Sequence, residues 1–284
     1  MPAKYRPTFL IMLALLFVLT LPGCTFGQQT PEDSFSPPWK DSVNPQTSEE
    51  FVKRGNAKKR RWDLNGAIAD YSKAIELNPK CVEAYYHRGI VEAKKMGDMD
   101  GAIADFTKAI ELDPKNAEVY SERASAKDWK GDLDGAIADC TRAIELNPKN
   151  DGAYIRRGNA ERVKDCANAE MHKANLNGAI ADYSKAIELD PKSSAAYFNR
   201  AGAKEDKSDL DGAIADYSKS IELSPKDATA YFSRGGAKQK KRDLDGAITD
   251  YSKAIELDAR WATAYSKQVG ADEELAQAAK LKGH

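Results

Sequence analysis

Six short segments of this chain have the beginning of a calcium-binding loop. Each has an aspartate or asparagine one and three positions before a glycine, as in Asp98-Met99-Asp100-Gly101. A calcium loop also needs an acidic residue two positions earlier and a bidentate glutamate six positions after the glycine. The earlier position holds only basic residues or methionine, and the later one only serine or threonine. We therefore interpret these segments as turns that cap helices and expect no metal site.

Residue sets for other kinds of catalysis are missing from the sequence as well. The four cysteines include no Cys-x-x-Cys pair, and the only histidines are His87, His172 and His284. No nucleophile, base and orienting group stand at a spacing that supports covalent catalysis. No glycine-rich phosphate loop follows a strand pattern. We therefore predict a protein that is not an enzyme and has no cofactor and no small-molecule substrate.

The same segments belong to an internal repeat. Its unit is Asp/Asn-Leu-Asp/Asn-Gly-Ala-Ile-Ala-Asp-Tyr-Ser-Lys-Ala-Ile-Glu-Leu-Asp/Asn-Pro, with small variations. Spacings of 35, 34, 43, 34 and 34 residues separate its glycines, which are Gly66, Gly101, Gly135, Gly178, Gly212 and Gly246. A period of about 34 residues is typical of stacked helix pairs, which bury their apolar faces against their neighbours.

Each repeat carries the pattern of two helices. In the fourth repeat, one apolar stripe at helical spacing consists of Ala179, Ile180, Tyr183, Ala186 and Ile187. We expect this second helix to begin at Asn177 or Gly178, where a side chain can cap free N–H groups. It should end at Asp190, because the following Pro191 disfavours helical geometry there. The first helix carries Ala-Tyr-x-x-Arg followed by glycine or alanine, and this small residue permits close helix packing.

These residues resemble the tetratricopeptide repeat, whose pattern is aromatic, small, alanine, aromatic, alanine and proline. In the sixth repeat the matching residues are Tyr231, Gly235, Ala247, Tyr251 and Ala254, with Ala259 where proline is expected. The resemblance recurs six times along the chain. It implies an all-α fold, an α-solenoid in which six antiparallel helix pairs stack into a right-handed superhelix with a concave groove. It also implies recognition of a protein or peptide partner.

The repeats set the predicted domain boundaries. Six repeats are expected at residues 48–81, 82–116, 117–150, 151–193, 194–227 and 228–258, followed by a C-terminal capping helix at 259–284. The fourth repeat has nine extra residues (43 − 34), and its insert from Val163 to Lys173 contains no proline or glycine. We therefore expect a lengthened helix pair there. A terminal helix with a polar outer face should cover the last repeat.

The N-terminus carries the pattern of an export signal. Lys4 and Arg6 precede an apolar run of 14 residues that ends at Leu21. A membrane-spanning helix needs about 20 residues, so a permanent transmembrane anchor is the weaker interpretation. We predict a signal peptide at residues 1–23 and a linker rich in proline, serine and glutamine at 24–47.

The residues at the end of this signal resemble the lipobox of bacterial lipoproteins. They are Leu21-Pro22-Gly23-Cys24, in which Pro22 departs from the usual small or aliphatic residue. The resemblance implies lipidation of Cys24 and a location in a bacterial cell envelope, anchored to the outer membrane or to the periplasmic face of a membrane. A secreted protein, cleaved without lipidation, and an uncleaved signal anchor stay as alternatives.

First-helix positions should line the groove that the resemblance implies. The candidate peptide-binding residues at these positions are Tyr86, Ile90, Trp129, Ile155, Asn159, Phe198 and Phe232. Exposed aromatic side chains in a groove are common peptide anchors. For Tyr86, Phe198 and Phe232, ordinary packing between repeats fits the sequence equally well. Because acidic and basic residues alternate around these positions, we expect a bound segment with apolar anchors and few demands on charge.

Some tetratricopeptide proteins hold terminal carboxylates with a clamp of basic residues. The positions that need lysine or arginine hold Ile155, Thr229 and Ser233 in the second half of the array. A carboxylate there would lack charge-assisted hydrogen bonds. We therefore do not expect this clamp.

Two functions are compatible with these patterns. The favoured one is a non-catalytic, membrane-tethered scaffold that binds a protein or an extended peptide in its groove. The alternative is a structural subunit or assembly factor of an envelope complex, which uses its convex face and the fourth-repeat insert. With 43 basic and 44 acidic residues, the chain lacks the basic excess that nucleic-acid binding needs.

Overall fold

The computed structural model describes residues 45–95, 98–164 and 169–265, all within a unit that spans Asp41–His284. This part of the chain is helical and contains no β-strand, which confirms the predicted all-α fold. Its helices are α1 (Ser48–Arg60), α2 (Leu64–Leu77), α3 (Val82–Lys94), α4 (Met99–Leu112), α5 (Ala117–Lys130), α6 (Leu133–Leu146), α7 (Asp151–Val163), α8 (Ala169–Leu189), α9 (Ser194–Asp206), α10 (Leu210–Leu223), α11 (Ala228–Lys240) and α12 (Leu244–Leu257). A further helical turn follows at residues 261–265.

Aspartate side chains begin five of the second helices. In each, a carboxylate oxygen accepts a hydrogen bond of 2.8 to 3.1 Å from the backbone N–H of the glycine three residues later. These capping aspartates are Asp63, Asp98, Asp132, Asp209 and Asp243. Since a carboxylate satisfies a free donor at the helix start, the Asp-x-x-Gly segments serve as helix caps.

The second helix of the fourth repeat departs from this rule. The prediction that it begins at Asn177 or Gly178 is wrong, because α8 begins at Ala169 and has 21 residues where the other second helices have 14. The inserted sequence is rich in alanine, glutamate, methionine and lysine, which favour helix and contain no breaker. The first helix, α7, keeps 13 residues, so the insert lengthens only one helix of the pair.

Close contact within each pair depends on a small residue that faces an aromatic ring. A Cβ atom added to Gly55 would lie 2.6 Å from the ring of Tyr71, and one added to Gly158 would lie 2.8 Å from that of Tyr183. Both tyrosines are fully buried. In the third repeat the order is reversed, because Ala124 replaces the glycine and the buried Cys140 replaces the ring. This confirms that Cys140 is a small apolar core residue.

A ladder of arginine–aspartate pairs connects the repeats. In every pair, Nε and Nη2 of a first-helix arginine donate hydrogen bonds of 2.6 to 2.9 Å to a buried second-helix carboxylate. The pairs are Arg54–Asp70, Arg88–Asp105, Arg123–Asp139, Arg157–Asp182, Arg200–Asp216 and Arg234–Asp250. From the second repeat on, Nη1 also donates to a serine or threonine hydroxyl of the preceding repeat at 3.0 to 3.2 Å. Each guanidinium therefore joins three helices.

The residues after α12 begin to cover the last repeat. The Trp261 ring stacks on Phe232 with centroids 4.4 Å apart, and the Tyr265 ring lies 5.2 Å from that of Tyr251. The rest of the predicted capping segment lies outside the described residues. The signal peptide, Cys24 and nearly all of the linker lie outside them as well. Among the described residues, no helix combines the length and the apolar character needed to cross a membrane.

Candidate peptide-binding groove

The first helices line one side of the array. They contact one another from repeat to repeat, as α1 with α3, α3 with α5, α5 with α7 and α7 with α9. The second helices of successive described repeats make no comparable contact. When one set of helices is closer together than the other, the stack curves towards the closer set. The first helices therefore form the inner face, where the candidate binding residues stand.

Two of these residues meet at one apolar pocket between the second and third repeats. The pocket has a volume of about 510 Å³ and is lined by Ile90, Ala93, Lys94, Met99, Glu122, Ser125, Ala126 and Trp129. Trp129 stands at the end of α5 with 77 % of its surface exposed. A large aromatic side chain left in water beside an apolar depression can gain by burial against a partner.

Tyr86 forms part of the neighbouring wall. Its ring is half-buried, 6.3 Å from the Phe106 ring, and its hydroxyl donates a hydrogen bond of 2.6 Å to Glu118 Oε1. Burial, followed by this carboxylate, raises the pKa of Tyr86. Because the hydroxyl and the ring are both engaged, the wall is fixed before any partner binds.

The middle of the inner face is occupied by intramolecular contacts. Ile155 packs into the core around Tyr183, and Asn159 Oδ1 accepts a hydrogen bond of 2.8 Å from the Tyr183 hydroxyl. Further along, Arg162 Nε donates to Asp206 Oδ2 at 2.7 Å, and its guanidinium would lie 2.8 Å from a Cβ atom at position 202. Ile155 and Asn159 therefore support the groove floor.

The two phenylalanines of the predicted set pack against rings of their own repeats. Phe198 lies 5.4 Å from Tyr217, measured between ring centroids, and Phe232 lies 4.9 Å from Tyr251. Both side chains keep part of their surface in solvent. The structure thus places Ile90 and Trp129 together and sets Phe198 and Phe232 apart from them, in the last two repeats.

Sequence reasoning missed a cluster of cations beside the pocket. Lys59 and Arg60 end α1, and Lys94 ends α3 on the pocket rim. The pKa of Lys59 is lowered by burial first and then by the positive charges of Lys94 and Arg60. The signal was available in the 34-residue register, which aligns Lys94 with a lysine of the sixth repeat, but charge partners were not compared between repeats.

Comparison with known proteins agrees with this architecture. A family model described as TPR repeat matches residues 55–95, 92–127, 167–205 and 203–242. A second model, described as tetratricopeptide repeat, matches residues 117–150 and 228–260. No curated protein matches the sequence significantly.

Several solved structures share the fold. The crystal structure of MamA is 27 % identical over 64 % of this chain and 94 % of its own length, with a TM-score of 0.53. PilF of Pseudomonas aeruginosa is 15 % identical over 78 % and 97 %, with a TM-score of 0.63. YrrB, described as a TPR protein with an unusual peptide-binding site, is 21 % identical over 69 % and 97 %, with a TM-score of 0.52. From the family matches, which cover more than half of its residues, and from the stacked helix pairs, this chain belongs to the tetratricopeptide repeat family.

Proposed function

We propose that the protein is a non-catalytic scaffold that holds a protein or an extended peptide segment in the groove of its first helices. The observation that carries this proposal is the exposed Trp129 beside an apolar pocket on the inner face. Interface energy concentrates in such aromatic anchors, while the surrounding contacts exclude water. The family resemblance supports the same function, since tetratricopeptide proteins are typically interaction scaffolds, and one structural neighbour is described by its peptide-binding site.

The test is recovery of partners from native membranes with the full-length chain, followed by mass spectrometry. We expect Trp129→Ala to weaken recovery of the specific partner, and Leu77→Ala, which truncates an exposed apolar side chain at the end of α2, to leave it unchanged. Thermal melting of both variants should match the parent protein, because neither side chain is buried. Equal partner recovery from the Trp129 variant and the parent would contradict the groove proposal.

We also propose that a lipid on Cys24 tethers this scaffold in a bacterial envelope. The support is sequence alone: two basic residues, an apolar run of 14 residues and the lipobox-like Leu21-Pro22-Gly23-Cys24. A Cys24→Ala variant should be released from membranes or accumulate as an uncleaved precursor. Unchanged membrane retention together with an unchanged mature mass would remove the lipoprotein proposal.

A specific observation supports the alternative of a structural subunit. Met171, in the extension of α8, has 52 % of its surface exposed, and a flexible thioether side chain suits an adaptable contact. If this face is the working surface, deletion of Lys164–His172 should abolish partner recovery while Trp129→Ala leaves it intact. The opposite pattern favours the groove.

A further inference from the structure

Lys59 and Lys94 occupy positions that hold an ion pair elsewhere in the array. Lys240 Nζ contacts Glu205 Oε1 at 2.8 Å, and these two residues stand 35 positions apart. Lys59 and Lys94 are also 35 positions apart, in the equivalent places of the first and second repeats. The acidic partner found near one end of the groove is thus replaced by a second cation near the other end.

These cations have no compensating carboxylate. Among the described residues, neither Lys59, Arg60 nor Lys94 forms an ion pair. Lys59 Nζ lies 3.4 Å from His87 Nδ1, but burial and then the charge of Lys59 lower the pKa of His87 to about 4, so the ring is neutral near pH 7. A histidine without negative charge cannot balance the lysines.

The carboxylates on the opposite side of the pocket are already engaged. Glu118 accepts the hydrogen bond from Tyr86, and Glu122 Oε1 pairs with Arg156 Nη2 at 3.2 Å. Neither is available to neutralise the cation cluster formed by Lys59, Arg60 and Lys94. The pocket therefore has an uncompensated positive charge on its rim, in a chain whose net charge is only −1.

We infer, on the basis of the proposed scaffold function, that the pocket and the cation cluster bind an internal acidic and apolar segment of a partner protein. An aliphatic or aromatic side chain of the segment enters the pocket beside Trp129, and neighbouring glutamates or aspartates contact Lys59 and Lys94. Charge complementarity carries this choice, because like charges held together gain most from an anionic partner. The apolar walls formed by Ile90 and Met99 favour a peptide side chain over a phosphate backbone.

The test uses an amidated fluorescent peptide in which leucine and phenylalanine alternate with glutamate, and a matched peptide with glutamine in place of glutamate. Binding to the purified full-length chain is followed by fluorescence anisotropy at low and high salt. The central variant is Lys59→Glu, which should recreate with Lys94 the pair that Glu205 and Lys240 form and so preserve the fold. The control is Lys226→Glu, which makes the same charge change in an exposed turn before α11.

We expect the acidic peptide to bind more tightly than the glutamine peptide and to lose about tenfold or more in affinity on Lys59→Glu or Trp129→Ala. Added salt should reduce the difference between the peptides, and Lys226→Glu should have no effect.

Equal affinity for the two peptides, or no effect of Lys59→Glu, would overturn the acidic specificity. If Trp129→Ala still weakened the glutamine peptide, the scaffold proposal would stand without it. Loss of neither peptide on Trp129→Ala would count against the groove as well. Tighter binding of a single-stranded oligonucleotide, independent of Trp129, would replace the inference with a nucleic-acid surface.

Discussion

Arg157 and Asp182 make the same paired contact as their equivalents in the other repeats, although 25 residues separate them instead of 16 or 17. Nε and Nη2 of Arg157 each lie 2.7 Å from a carboxylate oxygen of Asp182, and Nη1 lies 3.2 Å from Thr141 Oγ1. The nine additional residues therefore lengthen the chain between the helices without changing how they face each other. The insert preserves the register of the ladder.

This ladder should matter more for stability than surface ion pairs do. Replacing Arg157 by alanine leaves the 6 % exposed Asp182 without its partner, and we expect the free energy of unfolding to fall by about 3 kcal/mol. The matched control is Arg142→Ala, which removes an exposed pair with Glu145 at 2.8 Å and should cost about 0.5 kcal/mol or less. Urea unfolding followed by circular dichroism measures both. Equal midpoints for the two variants would show that the ladder adds nothing beyond surface charge.

The 34-residue period made the helix pairs predictable. Because each unit repeats its apolar stripe and its capping aspartate, the pairs and most boundaries followed from the sequence. The start of α8 did not, since the inserted residues simply extend a helix whose normal cap is asparagine rather than aspartate. A strong helix former upstream outweighed a weak stop signal at Gly178.

The contacts between helices were harder to predict. The arginine after each first-helix tyrosine and the aspartate before each second-helix aromatic both recur with the period, as in Arg123 and Asp139. Their pairing still required the helix orientation. The same limit applies to the groove: spacing identified Trp129 and Phe198 as equivalent candidates, but only the side-chain positions show that Trp129 is exposed whereas Phe198 packs on Tyr217.

Two glycines in α7 should respond oppositely to alanine. Gly158→Ala places a Cβ atom 2.8 Å from the buried Tyr183 ring, which Asn159 also holds by a hydrogen bond, so we expect destabilisation by about 1–3 kcal/mol. Gly152→Ala meets only the end of the Arg156 side chain at 3.2 Å and the Asn150 amide oxygen at 3.4 Å. That change should leave stability unchanged or raise it by up to about 1 kcal/mol. Thermal melts of the two variants decide this, and a lower melting temperature for Gly152→Ala would contradict the explanation.

Deletion of Trp261–His284 should uncover the end of the array. It removes the ring of Trp261 from Phe232, and it leaves α12, where Leu244 and Ile248 are already 58 % and 52 % exposed, without a neighbour. Because terminal repeats need a covering helix, we expect a lower melting temperature and increased light scattering on concentration. A control deletion that ends at Tyr265 keeps both ring contacts and should retain more of the stability. Identical melting of all three chains would show that this segment is not a cap.

A glutamate in the second repeat replaces a lysine that supports the ladder elsewhere. Lys127 Nζ contacts Asp139 at 2.8 Å, whereas the equivalent Glu92 faces Asp105. Glu92 Oε2 has no hydrogen-bond partner among the described residues, and Oε1 is 3.9 Å from Arg88 Nε. Burial, followed by the charge of Asp105, raises the pKa of Glu92 to about 7. The charged form of this side chain is therefore unfavourable in the folded protein.

Stability of the parent protein should consequently fall, through this residue, as pH rises from about 4.5 to about 7. In that window the folded state keeps a proton on Glu92 that the unfolded state has released, so folding takes up a proton and is opposed by higher pH. Glu92→Gln should reduce this slope, and Glu92→Lys should abolish it and raise the free energy of unfolding at pH 7 by about 1–3 kcal/mol, because the lysine pairs with Asp105. The reciprocal variant, Lys127→Glu, should lower stability and introduce a slope of the same sign. Urea midpoints measured across this pH range check all three, and a parent slope that survives in both Glu92 variants would assign the pH dependence to other groups.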